Sequence, residues 1–343
     1  MAIHATLRVL APLAAAGALL AGPVAAQHLE VRVHDPVMVE ADGTYYLFNT
    51  GRGIGVMASE DMETWERLPP VFEEPPAWAL EMIPRFRGHI WAPDISYHDG
   101  TYYLYYSASS FGSNNSAIGV ATNTTLDPDD PAFEWVDHGP VVRSVRGRDM
   151  FNAIDPNLVE DDDGNAWLTF GSFWNGIKLF RLADDRLAPA DPPEREWHTV
   201  ASRHRYWKLD EADAGDTLSS AIEAPFIFRK DGWYYLFASW DRCCQGVNST
   251  YKIVVGRARQ VTGPYLDRTG EPMRLGGGTL VVKGDSAWAG VGHNAAYTFD
   301  CTDYLVFHGY DISDNGRSKL WIEEITWDQE GWPHVTLDGG TDR

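Results

Sequence analysis

Cysteine is scarce, with three in 343 residues. Cys243, Cys244 and Cys301 form no CxxC pair and no dense set, which excludes a thiolate metal ribbon and a disulfide-built scaffold. Cys243 and Cys244 are adjacent, which leaves open a vicinal disulfide in an oxidising compartment or a pair of buried thiols. Basic residues are also few: 28 Lys and Arg stand against 49 Asp and Glu, for a net charge of -21 and a pI near 4.8. No run of consecutive basic residues offsets this, so nucleic acid and anionic membrane are excluded as partners. Beyond residue 26 no segment approaches the roughly 18 uncharged apolar residues of a spanning helix. No stretch sustains a helical period, which argues against an all-α chain.

The N-terminus is the exception to this polarity. Arg8 is the only formal charge before Glu30, Val9 to Ala26 is small and apolar, and Val24-Ala25-Ala26 fits a cleavage site before Gln27. Residues 1–26 therefore read as an export signal, with an uncleaved anchor as the alternative. The expectation is a secreted or periplasmic protein with no membrane attachment after cleavage. Residues 27–343 read as one domain.

Aromatic residues are plentiful, with 14 Trp, 15 Tyr and 14 Phe. Many fall in a repeat. Short motifs at His34-Asp35-Pro36, Trp91-Ala92-Pro93-Asp94, Ile154-Asp155-Pro156-Asn157, Glu223-Ala224-Pro225 and Gly292-His293-Asn294 each precede an apolar, mostly aromatic run. Aligning the runs on Leu47, Leu104, Leu168, Leu236 and Leu305 gives spacings of 57, 64, 68 and 69 residues. The pairs Asp42-Gly43, Asp99-Gly100, Asp163-Gly164 and Asp231-Gly232 are hairpin signals at equivalent places. Periods this long, built from short strands, predict an all-β chain folded as a five-bladed β-propeller with four strands per blade. An ordinary β-sandwich with recurring aromatic hairpins is the alternative. The loop at 188–216 reads as an insertion on the outer edge.

A propeller brings the first strand of every blade to the central axis. Asp35, Asp155 and Glu223 all lie at blade openings, so the fold gathers three carboxyls in one cavity. Glu223 stands in an apolar setting that favours a retained proton. Two carboxyls facing a glycosidic bond are the apparatus of glycoside hydrolysis: one protonates the leaving oxygen while the other activates water or attacks the sugar carbon. A third carboxylate raises the affinity of the acid for its proton. His293 opens the fifth blade, either as a structural hydrogen-bonder or as a ligand to an axial ion.

The same segments resemble the arabinanases of glycoside hydrolase family 43. The resemblance is carried by His34-Asp35-Pro36, by Thr50-Gly51 with Gly53-Ile54, by Ile90 to Tyr97, and by Phe111-Gly112-Ser113-Asn114. It continues through Asn152 to Asn157, Leu168 to Trp174, Ile222 to Pro225, Cys243-Cys244 with Ser249-Thr250-Tyr251, and Gly292-His293-Asn294. The resemblance implies an inverting mechanism with Asp35 as general base, Glu223 as general acid, and Asp155 raising and orienting Glu223. Inversion leaves room for water, so the Asp35 and Glu223 carboxyls are expected roughly 6.5–9.5 Å apart. It further implies Trp91, Phe111 and Trp174 as furanose-stacking surfaces, Asn157 and Ser172 as hydrogen-bonders to sugar hydroxyls, and an axial calcium ion with His293 as ligand. Where relatives often carry Arg after the cysteine pair this chain has Gln245, which puts a cationic neighbour of Glu223 in doubt. The expected activity is cleavage of internal α-1,5-L-arabinofuranosidic bonds of arabinan by a monomer. An exo-acting arabinanase, or an arabinofuranosidase or xylosidase on the same fold, is the alternative, and a non-catalytic carbohydrate-binding propeller is the rival from another class.

Overall fold

The structure is a computed structural model that describes residues 30–190, 197–203 and 220–337. The export segment 1–26 and most of the expected insertion at 188–216 lie outside the described residues. Alternating strands and tight turns build five antiparallel sheets around one axis, a five-bladed propeller. Blade one comprises Val37–Ala41, Thr44–Asn49, Gly55–Ser59 and Glu66–Leu68. Blade two comprises His89–His98, Thr101–Ala108, Ser116–Asn123 and Val136–Ser144, and the short Gly51–Arg52 strand joins its inner edge. Blade three comprises Asn157–Glu160, Ala166–Phe170, Ile177–Arg181 and His198–Ala201, and blade four Ile222–Lys230, Trp233–Trp240, Lys252–Ala258 and Thr279–Lys283. Blade five has three described strands rather than the expected four: Trp288–Phe299, Thr302–Asp311 and Arg317–Glu324. Its outer edge is met by the start of the chain, where Leu320 N–H donates to the Val31 carbonyl at 2.9 Å. One six-residue helix, Ala77–Met82, lies in the loop before blade two; it is too short to show a period in the sequence.

The turns explain part of the repeat. Asp42-Gly43, Asp99-Gly100 and Asp231-Gly232 hold both central residues at positive φ, the type I′ geometry that matches strand twist. Blade three departs from this. Its hairpin spans five residues, and only Gly164 of the Asp163-Gly164 pair has positive φ. There the Asp161 carboxylate accepts N–H bonds from Asp163 and Asn165 and shapes the loop. In blade five the pair is Asp300-Cys301, so the exposed free thiol of Cys301 occupies a turn position that glycine fills elsewhere. All five repeat leucines are fully buried, each contributing about 1.5–3 kcal/mol of transfer free energy.

A ring of hydrogen bonds ties the blades at the axis. At the inner rim one non-glycine residue of each blade adopts left-handed backbone: Asp35, Ala92, Asp155, Ala224 and His293, with φ between 42° and 58°. Such a residue costs on the order of 1 kcal/mol or more, and here its N–H turns toward the preceding blade. Ala92 N–H donates to Thr50 Oγ1, Asp155 N–H to Ser107 Oγ, His293 N–H to Ser239 Oγ and Asp35 N–H to His308 Nδ1, at 2.8–3.1 Å. Each of these acceptors stands three positions after its repeat leucine. In blade three that position is Gly171, where an added Cβ would lie 3.0 Å from the Gly176 carbonyl oxygen. The Asp155 carboxylate takes over the role and accepts Ala224 N–H at 3.2 Å.

Asp94 and Asn157 add a second, buried clamp across three blades. Asp94 Oδ2 accepts Leu158 N–H at 2.8 Å and Asp94 Oδ1 accepts the Asn157 amide at 3.2 Å, while Asn157 Oδ1 accepts Ile227 N–H at 2.9 Å. Burial pushes the Asp94 carboxyl up to about 7, against the pull of these two donors. A raised folded-state value means that the native protein holds this proton more tightly than the unfolded chain. The stabilisation is complete below pH 4 and is lost as pH rises through 7. Relative to Asp94→Asn, which does not titrate, the wild type should therefore lose denaturant stability steadily between pH 4 and 7. Parallel stability profiles for the two proteins would contradict this.

Candidate active site

The left-handed ring points Asp35 and Asp155 inward at equivalent positions. Glu223 does not share that position. It sits one residue earlier, where the other blades have His34, Trp91, Ile154 and Gly292. The matched-position expectation thus holds for the two aspartates and is one residue out for the glutamate, because Ala224 fills the left-handed place in blade four. All three carboxyls are buried at the axis.

Asp35 is held as an anion. Its Oδ1 lies 2.7 Å from His34 Nδ1 and 3.0 Å from His293 Nδ1, and its Oδ2 accepts the Thr50 hydroxyl at 2.5 Å. Burial opposes the charge, but His293 and His34 overcome it and hold the carboxyl well below its ordinary value. Thr50 therefore has two duties, donating to Asp35 and accepting Ala92 N–H in the inter-blade ring. Burial likewise works against charge on His293, yet the Asp35 carboxylate pushes that imidazole up to about 9.

Glu223 is aimed from two sides. Tyr251 donates to Oε1 at 2.8 Å and Ser172 donates to Oε2 at 2.7 Å. Tyr251 is fully buried and reaches this position because blade five opens with Gly292, where an added Cβ would lie 2.2 Å from the tyrosine ring. Burial, with the charges of Glu223 and Asp35, pushes the Asp155 carboxyl up to about 8, while His293 pulls the other way.

The remaining expected residues divide. Trp91 and Phe111 form a pair with ring centroids 5.0 Å apart, and Phe111 is 73% exposed, so an aromatic face is open to a ligand. The Trp91 indole N–H is bonded to His89. Trp174 is half-buried in left-handed backbone two residues beyond Ser172. Ser172 meets Glu223 directly, and Asn157 spends its amide on Asp94 and Ile227, in the frame of the ring. Thr50, Tyr251, His308 and Tyr310 had no assigned role in the sequence. Thr50 and His308 share a signal with Ser107 and Ser239, namely a polar residue three places after the repeat leucine.

Two features bear on ions and oxidation. Cys243 and Cys244 form a vicinal disulfide. His34, Asp35 and His308 offer ligand atoms within 4.8 Å of one another, but both nitrogens of each ring are already engaged. That trio does not fit a cation. His293 differs: Nδ1 faces Asp35, and among the described residues Nε2 has no hydrogen-bond partner. That nitrogen, beside three carboxyls, fits a cation otherwise ligated by water once the ring has given up the proton that Asp35 holds on it up to about 9.

Residues 27–333 match the model of glycosyl hydrolases family 43. The chain is 52% identical over 318 residues to the extracellular exo-α-(1→5)-L-arabinofuranosidase of Cellvibrio japonicus, covering 93% of this chain and 90% of that protein. It is 41% identical to the extracellular endo-α-(1→5)-L-arabinanase 1 of Bacillus subtilis, covering 88% and 87%. The α-L-arabinanase of Cellvibrio cellulosa in complex with arabinohexaose superposes with a TM-score of 0.83 at 51% identity, over 90% of this chain and 96% of that one.

The geometry around Glu223 makes a specific demand. Tyr251→Phe and Ser172→Ala each remove one donor to the buried Glu223 carboxyl without emptying the chamber. Each should lower hydrolytic kcat roughly ten- to a hundredfold, the worth of a hydrogen bond to the carboxylate that forms as Glu223 gives up its proton, with thermal stability little changed. Turnover within twofold of wild type in both variants would show that Glu223 needs no such aiming.

Proposed function

The chain belongs to glycosyl hydrolases family 43, and on that premise we propose that it hydrolyses the α-1,5-linked L-arabinofuranose chains of arabinan with inversion, working from a chain end. The observation that carries this reading is two carboxyls gathered in one chamber with different partners. Asp35 is held ionised by His34 and His293, whereas Glu223 is addressed by hydroxyl donors alone. Asp35 serves as the general base and takes a proton from water as its oxygen bonds to the anomeric carbon. The bond from that carbon to the leaving oxygen breaks, and Glu223 gives the leaving oxygen its proton. Asp155 orients the backbone at Ala224 beside the acid and places a third carboxyl near it. Trp91, Phe111 and Trp174 offer faces for furanose rings, and Ser172 acts through Glu223. For Asn157 we propose a frame role in place of the expected sugar contact.

Support for end-wise attack comes from the relatives. The one sharing 52% identity is named exo-acting, and the one sharing 41% is named endo-acting. We therefore favour release from a chain end over the internal cleavage expected from sequence. Both relatives are named extracellular, and with the apolar segment at 9–26 this supports export. One chain supplies all three carboxyls, so a monomer suffices. We also propose a calcium ion at the axis, held by His293 Nε2 and water. When bound it would supply positive charge to a chamber crowded with carboxylates.

The product profile on linear 1,5-α-arabinan tests both levels. A single short product from the earliest time points is expected. A spread of oligosaccharides would overturn the mode and leave the chemistry standing. Glu223→Ala should cut turnover by roughly 10²–10⁴ while arabinan binding survives. Unchanged turnover would remove Glu223 from its role.

A further inference from the structure

We infer that Tyr310, together with the Cys243–Cys244 disulfide, is a positioning device for the general base, fixing His34 in the one tautomer that can donate to Asp35. The inference rests on the reading of Asp35 as the base. Four hydrogen bonds form a circuit that starts and ends at this residue, each fixing the next, and a fifth enters it from Cys244. Asp35 N–H donates to His308 Nδ1 at 3.1 Å, so that nitrogen carries no proton. With Nδ1 serving as acceptor, the ring carries its single proton on Nε2. His308 Nε2–H therefore donates to the Tyr310 hydroxyl at 3.1 Å. Cys244 N–H donates to the same oxygen at 2.8 Å.

With two donors aimed at its oxygen, the Tyr310 hydroxyl spends its own proton elsewhere. Burial keeps this phenol protonated, well above its ordinary value. Its partners are His34 Nε2 at 2.9 Å and Cys244 Sγ at 3.9 Å. Sulfur is a weak acceptor, so the proton goes to His34 Nε2. His34 then carries its proton on Nδ1 and donates it to Asp35 Oδ1 at 2.7 Å. The stack of His34 on His308, with centroids 4.0 Å and planes 30° apart, restrains the ring.

The disulfide enters through the backbone. A bond between neighbouring cysteines closes a small ring around the intervening peptide. Cys244 sits at φ 67°, a strained place for a residue with a Cβ, and its N–H is turned onto Tyr310. Opening the ring releases that strain and withdraws one of the two donors that force the tyrosine proton toward His34. Cys244 is exposed, so a reductant reaches it.

Kinetics on linear arabinan with and without dithiothreitol, for wild type and Tyr310→Phe, test the device. Nitrogen-15 NMR of the His34 ring provides the second readout. Tyr310→Phe should lower kcat about tenfold and leave KM within about twofold. Reduction should lower wild-type kcat in the same manner and add little in Tyr310→Phe, because both act through one bond. His34 should appear as the Nδ1-protonated tautomer in the oxidised wild type and lose that preference on reduction, which also serves if the variant fails to fold. Wild-type kcat in Tyr310→Phe, losses that multiply, or an Nε2-protonated His34 in the oxidised wild type would each overturn the inference. If the wild type does not cleave arabinan, the functional reading fails, while the tautomer still decides the circuit.

Discussion

Everything at the axis depends on one interaction: the N–H of a left-handed residue in each blade, bonded to a side chain of the blade before it. Strands alone place five sheets side by side. They do not decide which side chains face the axis or how far the blades stand apart. The left-handed residue turns the chain at the inner rim and sends one side chain into the chamber. Its N–H is then satisfied only by the neighbouring blade, so a local strain becomes a link around the ring. In blade three the usual hydroxyl is replaced by Gly171, and Asp155 makes the link with its own carboxylate. A structural acceptor and a member of the proposed catalytic group are thus the same residue.

Three buried carboxyls in one chamber pose an electrostatic problem that the surroundings answer unequally. Asp35 has imidazoles on one oxygen and a threonine on the other, which favours the anion. Asp155 has one backbone donor and two acidic neighbours, which favours the proton. Glu223 has two hydroxyl donors and, among the described residues, no cationic hydrogen-bond partner. Fixed and unlike environments around two carboxyls suit the inverting hydrolysis proposed for them. They cost no reorganisation when substrate arrives.

The repeat, the blade count and the three carboxyls were legible in the sequence because each depends on local pattern. Buried leucines at a regular spacing, Asp-Gly turns and blade-opening motifs survive without knowledge of contacts. What was not legible depends on partners far apart in the chain. Tyr310 meets His34 across 276 residues, and Asn157 meets Ile227 across 70. No spacing rule predicts such pairs, so Asn157 read as a sugar-binding amide when its amide is spent on the frame. The one-residue offset of Glu223 was hidden for a related reason, since proline follows Asp35 and Asp155 directly but follows Glu223 only after Ala224. The three-strand fifth blade escaped because the piece of chain at its edge comes from the opposite end of the sequence.

The central claim is that this ring holds a base and an acid on opposite sides of one sugar. The configuration of the sugar at the moment of release tests it most directly. Proton NMR during the first minutes of arabinan hydrolysis, before mutarotation, should show β-L-arabinofuranosyl reducing ends appearing from the α-linked substrate. Initial appearance of the α anomer would mean retention through a covalent intermediate. It would contradict the roles given to Asp35 and Glu223.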